Sequence, residues 1–254
     1  MSLNAEITRI ENAKTTLKTK LNSRNDNQHQ ITNETIDEYG DFVDSIPQGG
    51  GGIDWSAIEF DGMPQAIQDG YDYAIEIKNN WNSSSSLIGK FYNDYKLVFM
   101  PSVNTSGKPS TVQMFSYAYS LISVALFDMS SVTNASEMFR DCHSLKSIPK
   151  FNTSNVTTMK RMFTNCYSLT TVPFLDTSST VGAGGISSMF DNVNNLTNES
   201  LDNILQMCIT ATLFTGTKTL VTLGIRSSSS YPTTRIQALP HYQDFLDAGW
   251  TIGY

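Results

Sequence analysis

The chain has 254 residues, of which 39% are hydrophobic and only 16% charged, with a formal net charge of -7. That length suffices to bury a substantial core, whereas the acidic balance and scattered Lys and Arg argue against a nucleic-acid footprint, which needs clustered basic side chains. No apolar run approaches the ~18 residues that span a bilayer, and three cysteines do not make a disulfide framework.

The start, Met1-Ser2-Leu3-Asn4-Ala5-Glu6, lacks the charged and apolar regions of a secretory signal, so export by the ordinary route is not expected. Leu3, Ile7, Ile10, Leu17 and Leu21 follow at helical spacing, with Lys14 in the missing step. They predict an amphipathic helix and a candidate oligomerisation seam, too short to hold copies together alone. A polar loop around His29 separates it from a second predicted helix, in which Thr35 and Glu38 form a capping box and Ile36, Tyr39, Val43 and Ile46 the apolar stripe. Residues 1–48 therefore read as a short helical attachment segment. Gly49 to Gly52 is a flexible joint, without the Lys-Ser/Thr of a phosphate loop.

Residues 53–89 are aromatic-rich, with Trp55, Phe60, Tyr71, Tyr73 and Trp81, and are helical in character from Tyr73 to Trp81. They are the expected N-terminal cap of what comes next, residues 90–191, where Met-Phe returns at Met114-Phe115, Met138-Phe139, Met162-Phe163 and Met189-Phe190, at intervals of 24, 24 and 27. Ser-Leu keeps pace at Ser120-Leu121, Ser144-Leu145 and Ser168-Leu169, and the longer last interval takes up a loop insertion at Ser179 to Gly185. A degenerate unit with Phe91, Leu97, Met100, Val103 and Asn104-Thr105-Ser106 precedes them.

In each unit Leu145, Ile148 and Phe151 fit a short extended segment, and Met159, Met162, Phe163 and Cys166 fall at i, i+3, i+4 and i+7, the stripe of a helix. One such unit cannot bury its apolar surface alone, and stacking gives a continuous core. The expected fold class is therefore α/β: a leucine-rich-repeat-like β/α solenoid of about four 24-residue units between N- and C-terminal caps. Cys142 and Cys166 share a slot in successive units, as a pair of buried thiols or as a bridge.

Residues 192–254 form the expected C-terminal cap. It comprises a helix entered at Asn198-Glu199-Ser200, a β-prone run from Thr219 to Ile225, a helix from Tyr242 to Ala248 closed by Gly249, and a terminal strand from Trp250 to Tyr254.

The runs Phe151-Asn152-Thr153-Ser154-Asn155-Val156-Thr157-Thr158-Met159 and Met162-Phe163-Thr164-Asn165-Cys166-Tyr167-Ser168-Leu169 resemble the BspA-like leucine-rich repeats of bacterial surface proteins. The resemblance implies a solenoid for adhesion and binding, with no catalytic residues to carry over. The N-terminal segment Ile10 to Tyr39 and the closing run Tyr242 to Thr251 are similar to segments of tail or fibre proteins of phages infecting low-GC bacteria. Together these imply a non-enzymatic virion structural protein of tail-fibre, receptor-binding type. Its N-terminal helices would join other virion proteins, its repeats would bind a host cell-surface glycan or protein, and a homo-oligomer, a trimer in preference, is favoured. The alternatives are a capsid-surface (head) fibre or decoration protein and a bacterial cell-surface adhesin.

A glycan depolymerase is disfavoured. Asp191, Asp202, Asp244 and Asp247 do not pair within a repeat slot, and His29, His143 and His241 lack metal-ligand spacing. No metal, cofactor, nucleic acid or membrane insertion is expected. Strand neighbours of inward residues point outward, which makes Val98, Ile122, Ser123, Lys146, Ser147, Thr170 and Thr171 the candidate host-binding face.

Overall fold

The computed structural model describes residues 65–83, 86–225 and 230–253. The expected seam at Leu3, Ile7, Ile10, Leu17 and Leu21, the second helix, the glycine joint, Trp55 and Phe60 lie outside the described residues. The chain divides into two units, Met1–Asp69 and Gly70–Tyr254, and the second carries the architecture described.

Helix α1 (Gln65–Asn79) opens the described chain. Gly70, Ala74 and Ile77 form its buried face, at the i, i+4, i+7 spacing that places them on one side. Gly70 is dictated by packing: a Cβ there would lie 2.6 Å from Cβ of Val98. Trp81, just beyond α1, stacks on Phe91 at 6.4 Å and donates from Nε1 to the Asn104 carbonyl at 2.8 Å.

From Phe91 onward each unit lies on the previous one. Strands β1 (Phe99–Met100) and β2 (Ser123–Val124) pair in parallel, Phe99 opposite Ser123 and Met100 opposite Val124. Single parallel bridges join Ser110 to Asn134, Asn134 to Thr158 and Ser147 to Thr171. On the β1–β2 side, next to the Ser147–Thr171 bridge, runs one backbone ladder: Ile122 N–H donates to the Val98 carbonyl, Lys146 to Ile122, Thr170 to Lys146 and Thr197 to Thr170, at 2.8 to 3.1 Å.

The opposite side of each unit departs from expectation. Met159, Met162, Phe163 and Cys166 are all fully buried, but the segment is a chain of tight turns and no helix forms there. Thr111, Gln113, Phe115 and Tyr117 donate their N–H groups to Asn134, Ser136, Met138 and Arg140 of the next unit, whereas Met114, Ser116 and Ala118 donate three residues back within their own unit. Alternate amides thus bond outward and inward, and the next two units repeat the pattern from Ala135 and from Met159. The turns need a left-handed third residue, as type II turns do. Gln113, Tyr117, Glu137, Asp141, Arg161, Asn165, Ser188 and Asn192 supply it, with φ between 54° and 63°.

Spacing explains why turns replace the expected helix. Phe139 stacks between Phe115 at 5.2 Å and Phe163 at 5.7 Å, close to the ~4.8 Å that separates hydrogen-bonded strands. An α-helix with side chains is about 10 Å across and would hold the units twice as far apart. Turns carry the same buried residues at the shorter rise.

Side chains reinforce the stack once per unit. Asn104, Asp128, Asn152 and Asp176 each accept the N–H two residues on through Oδ1, at 2.8 to 3.3 Å, the side-chain turn that Asx residues favour. Buried Thr105 and Thr153 donate from Oγ1 to the carbonyls of Asp128 and Asp176 in the following unit. Cys142, Cys166 and Cys208 are free and buried.

After Phe190, helix α2 (Asn198–Thr210) starts at its Thr197 cap and lies against the last strand-side backbone. Ser200 Oγ donates to the Thr170 carbonyl at 3.1 Å, and Asn203 Nδ2 to that of Val172 at 3.0 Å. The run Thr219 to Ile225, β-prone in sequence, forms the short helix α3 (Leu220–Leu223) instead. Thr219 caps it, and Gly224 ends it at φ 95°. This turn hands the carbonyls of Thr222 and Leu223 to the N–H groups of Ser188 and Phe190, both at 2.7 Å, so local hydrogen-bond demand at the edge of the stack overrides strand propensity. Gly224 approaches so closely that a Cβ would fall 2.3 Å from Asp191 N. Helices α4 (Thr233–Gln237) and α5 (Tyr242–Asp247) follow. Of the expected terminal strand, the described residues show a single bridge, Thr251 to Thr219. Among the described residues no helix is long and apolar enough to cross a membrane.

Candidate functional site: an external aromatic row

The turn side carries one aromatic ring outward per unit. Tyr95, Tyr119, His143 and Tyr167 recur every 24 residues and form a continuous row, with centroids 5.7, 4.5 and 4.8 Å apart. The last two ring pairs are tilted by 42° and 44°, which leaves part of each face open beside its edge. Tyr95 is 56% and Tyr167 46% exposed. Tyr92 and Tyr117 widen the row at one end, 5.3 Å apart and edge to face, the geometry that aromatic quadrupoles prefer.

The left-handed turn residues place a second, polar row alongside. Asn192 Nδ2 donates to Asn165 Oδ1, and Asn165 Nδ2 to Asp141 Oδ1, both at 2.7 Å. Short amide and carboxylate side chains tolerate the left-handed conformation, so the backbone requirement itself puts hydrogen-bonding groups there. Tyr95 OH is bound within the same surface, donating to Asn93 Oδ1 at 2.7 Å.

The charges in this region are mutually neutralised. Arg140 donates from Nε to Asp141 at 3.0 Å and from one terminal nitrogen to Glu137 at 3.2 Å, with its guanidinium 5.5 Å from the centre of the Tyr117 ring. Gln113 Nε2 donates to the same Glu137 oxygen at 2.9 Å. Partial burial pulls the Glu137 carboxyl upward, but the bonds from Gln113 and Arg140 and the charges of Arg140 and Arg161 outweigh it and hold the group below its ordinary value. The Tyr119 hydroxyl is raised by desolvation first and then by the Asp141 charge and the neighbouring tyrosines.

The face read from sequence lies on the strand side and is only partly open. Val98 sits against Gly70 of α1, and on the next rung Ile122 and Ser123 are 5% and 6% exposed, which removes both as surface contacts. Both residues of β2, Ser123 and Val124, are buried, so the outward alternation expected at Ser123 does not hold. Lys146, Ser147 and Thr170 are half-buried and Thr171 exposed, and partial burial lowers the Lys146 ammonium. The ring row keeps the repeat's 24-residue period in the sequence, but which way its rings face is set by the left-handed turns, which periodicity alone does not specify.

The acids weighed for catalysis are scattered. Asp202 binds His241, accepting its N–H at 2.9 Å and meeting its Nδ1 at 2.7 Å, and so ties α2 to the entry of α5. Among the described residues no three His, Cys, Asp or Glu side chains gather into a metal-binding group.

The fold and this surface define a tandem-repeat stack with an external aromatic row. Residues 109–220, under half of the chain, match a family described as "Mycoplasma protein of unknown function, DUF285". No curated protein and no solved structure matches the chain.

Proposed function

We propose that the protein is a non-enzymatic virion component of tail-fibre type. Its N-terminal segment attaches to the particle, and its repeats, a leucine-rich-repeat-type solenoid in which turns stand where helices were expected, bind the host surface. The observation that carries the binding role is the surface row of Tyr95, Tyr119, His143 and Tyr167, one ring per unit, exposed at Tyr95 and Tyr167 and half-buried at Tyr119 and His143. Weak contacts suffice if several copies on one particle multiply them. Placement on a virion is supported by the resemblance of residues 10–39 to segments of phage tail and fibre proteins.

Immunoblotting of purified particles against cell-envelope fractions tests the placement. Signal in the particles is expected, and signal confined to the envelope would instead make the protein a cell-surface adhesin. Adherence of the purified chain to intact host cells tests the binding role, and its absence would overturn that role. For the attachment segment, deletion of residues 1–46 should reduce the light-scattering mass to that of a monomer. An unchanged mass would limit the segment to docking.

A further inference from the structure

We propose that the aromatic row binds a neutral, extended, β-1,4-linked hexopyranose chain lying along the stack, one sugar per unit. This rests on the binding role above and adds the chemical class of the ligand.

The first argument is periodicity. The row offers equivalent groups at 5.7, 4.5 and 4.8 Å intervals, close to the length of one pyranose residue in an extended chain. A one-dimensional lattice of side chains is complementary to a repeating polymer, whereas a folded protein surface has no such repeat to match it. A β-1,4 linkage keeps successive sugars flat and extended; an α-1,4 linkage curls the chain and loses register after a residue or two.

The second argument is chemistry. The CH face of a pyranose packs on aromatic rings, and its equatorial hydroxyls need amide and carboxylate partners at the edge. Here the Tyr119–His143 and His143–Tyr167 pairs tilt by 42° and 44° and open part of their faces, while Tyr95 and Tyr119 stack at 22°, and the ladder of Asp141, Asn165 and Asn192 runs beside the His143 and Tyr167 end. The third is charge. Arg140 is occupied by Glu137 and Asp141, so its charge is already balanced and does not favour an acidic polymer.

The test is calorimetric titration of the full chain with cello- and chito-oligosaccharides of two to six sugars, with maltohexaose as the α-linked control. Affinity is expected to rise about two- to tenfold with each sugar that gains a ring, the range of a single aromatic contact, and to level off after the fourth. Tyr119→Ala should weaken the hexaose about tenfold, while Tyr119→Phe and the off-row variant Leu213→Ser should not. If Tyr119→Ala melts early, Tyr167→Ala, at the exposed end of the row, replaces it. Absence of binding by both β-linked hexaoses, equal binding of maltohexaose, or affinity independent of length would overturn the proposal. Adherence to host cells measured on the same preparation separates the two readings. Adherence without oligosaccharide binding sinks only the ligand class, and loss of adherence sinks the binding role itself.

Discussion

The thiol of Cys166 donates to the backbone carbonyl of Phe139 at 3.0 Å, and Cys142 makes the equivalent bond to Phe115 at 3.1 Å. Each cysteine thereby ties its own unit to the one before it. Burial raises the thiols of Cys142, Cys166 and Cys208 above the ordinary value of 9.0. The folded chain therefore keeps protons that the unfolded chain releases, and stability present below pH ~9 is lost as pH rises beyond it, by up to about 1.4 kcal/mol per thiol and pH unit. Urea denaturation should show a midpoint that is flat near neutrality and falls above pH ~9. The double variant Cys142→Ala, Cys166→Ala should show a shallower fall.

Phe139 is the middle ring of the buried column and also lies 6.4 Å from Phe151. Its neighbours are held by the hydrogen-bonded ladders on both sides and cannot collapse into the space. Phe139→Ala should destabilise by about 3–5 kcal/mol, measured by chemical denaturation. A loss below about 1 kcal/mol would show that the column is loosely packed.

Asn165 holds φ 63° and bonds to both neighbours in the polar row. Asn165→Ala and Asn165→Gly both remove those bonds, but only glycine adopts the left-handed region freely. The alanine variant should be the less stable by about 1 kcal/mol, the reverse of the order found at helix interiors. Comparing the two melting curves also tests the turn assignment, because a helical segment would rank them the other way.

At Gly70 the usual expectation also reverses. Replacing a mid-helix glycine with alanine ordinarily stabilises by roughly 0.5–1 kcal/mol, yet here the new methyl meets Val98 at 2.6 Å. Gly70→Ala should destabilise by about 1–3 kcal/mol. Adding Val98→Ala should recover much of the loss in a double-mutant cycle. Full additivity would place the strain elsewhere.

Much of this organisation is legible in the sequence. The Met-Phe period predicted the buried slots, and Phe91, Phe115, Phe139, Phe163 and Phe190 do form one column. Helix α2 begins where Asn198-Glu199-Ser200 was read as its entry, because cap and apolar stripe agree locally. Within the run Thr219 to Ile225, Leu220–Leu223 is helical against its β propensity because its partners, Ser188 and Phe190, lie over thirty residues away and local propensity carries no trace of them.

The sequence by itself determined the repeated apolar slots of the core and how often they return, since burial of a repeated apolar pattern needs only the pattern. What the tertiary structure decided is the backbone that carries it. Apolar residues at i, i+3, i+4 and i+7 suit a helix or a run of turns, and the rise of about 5 Å between stacked rings admits only the turns. The same rise brings Tyr95, Tyr119, His143 and Tyr167 into one external row.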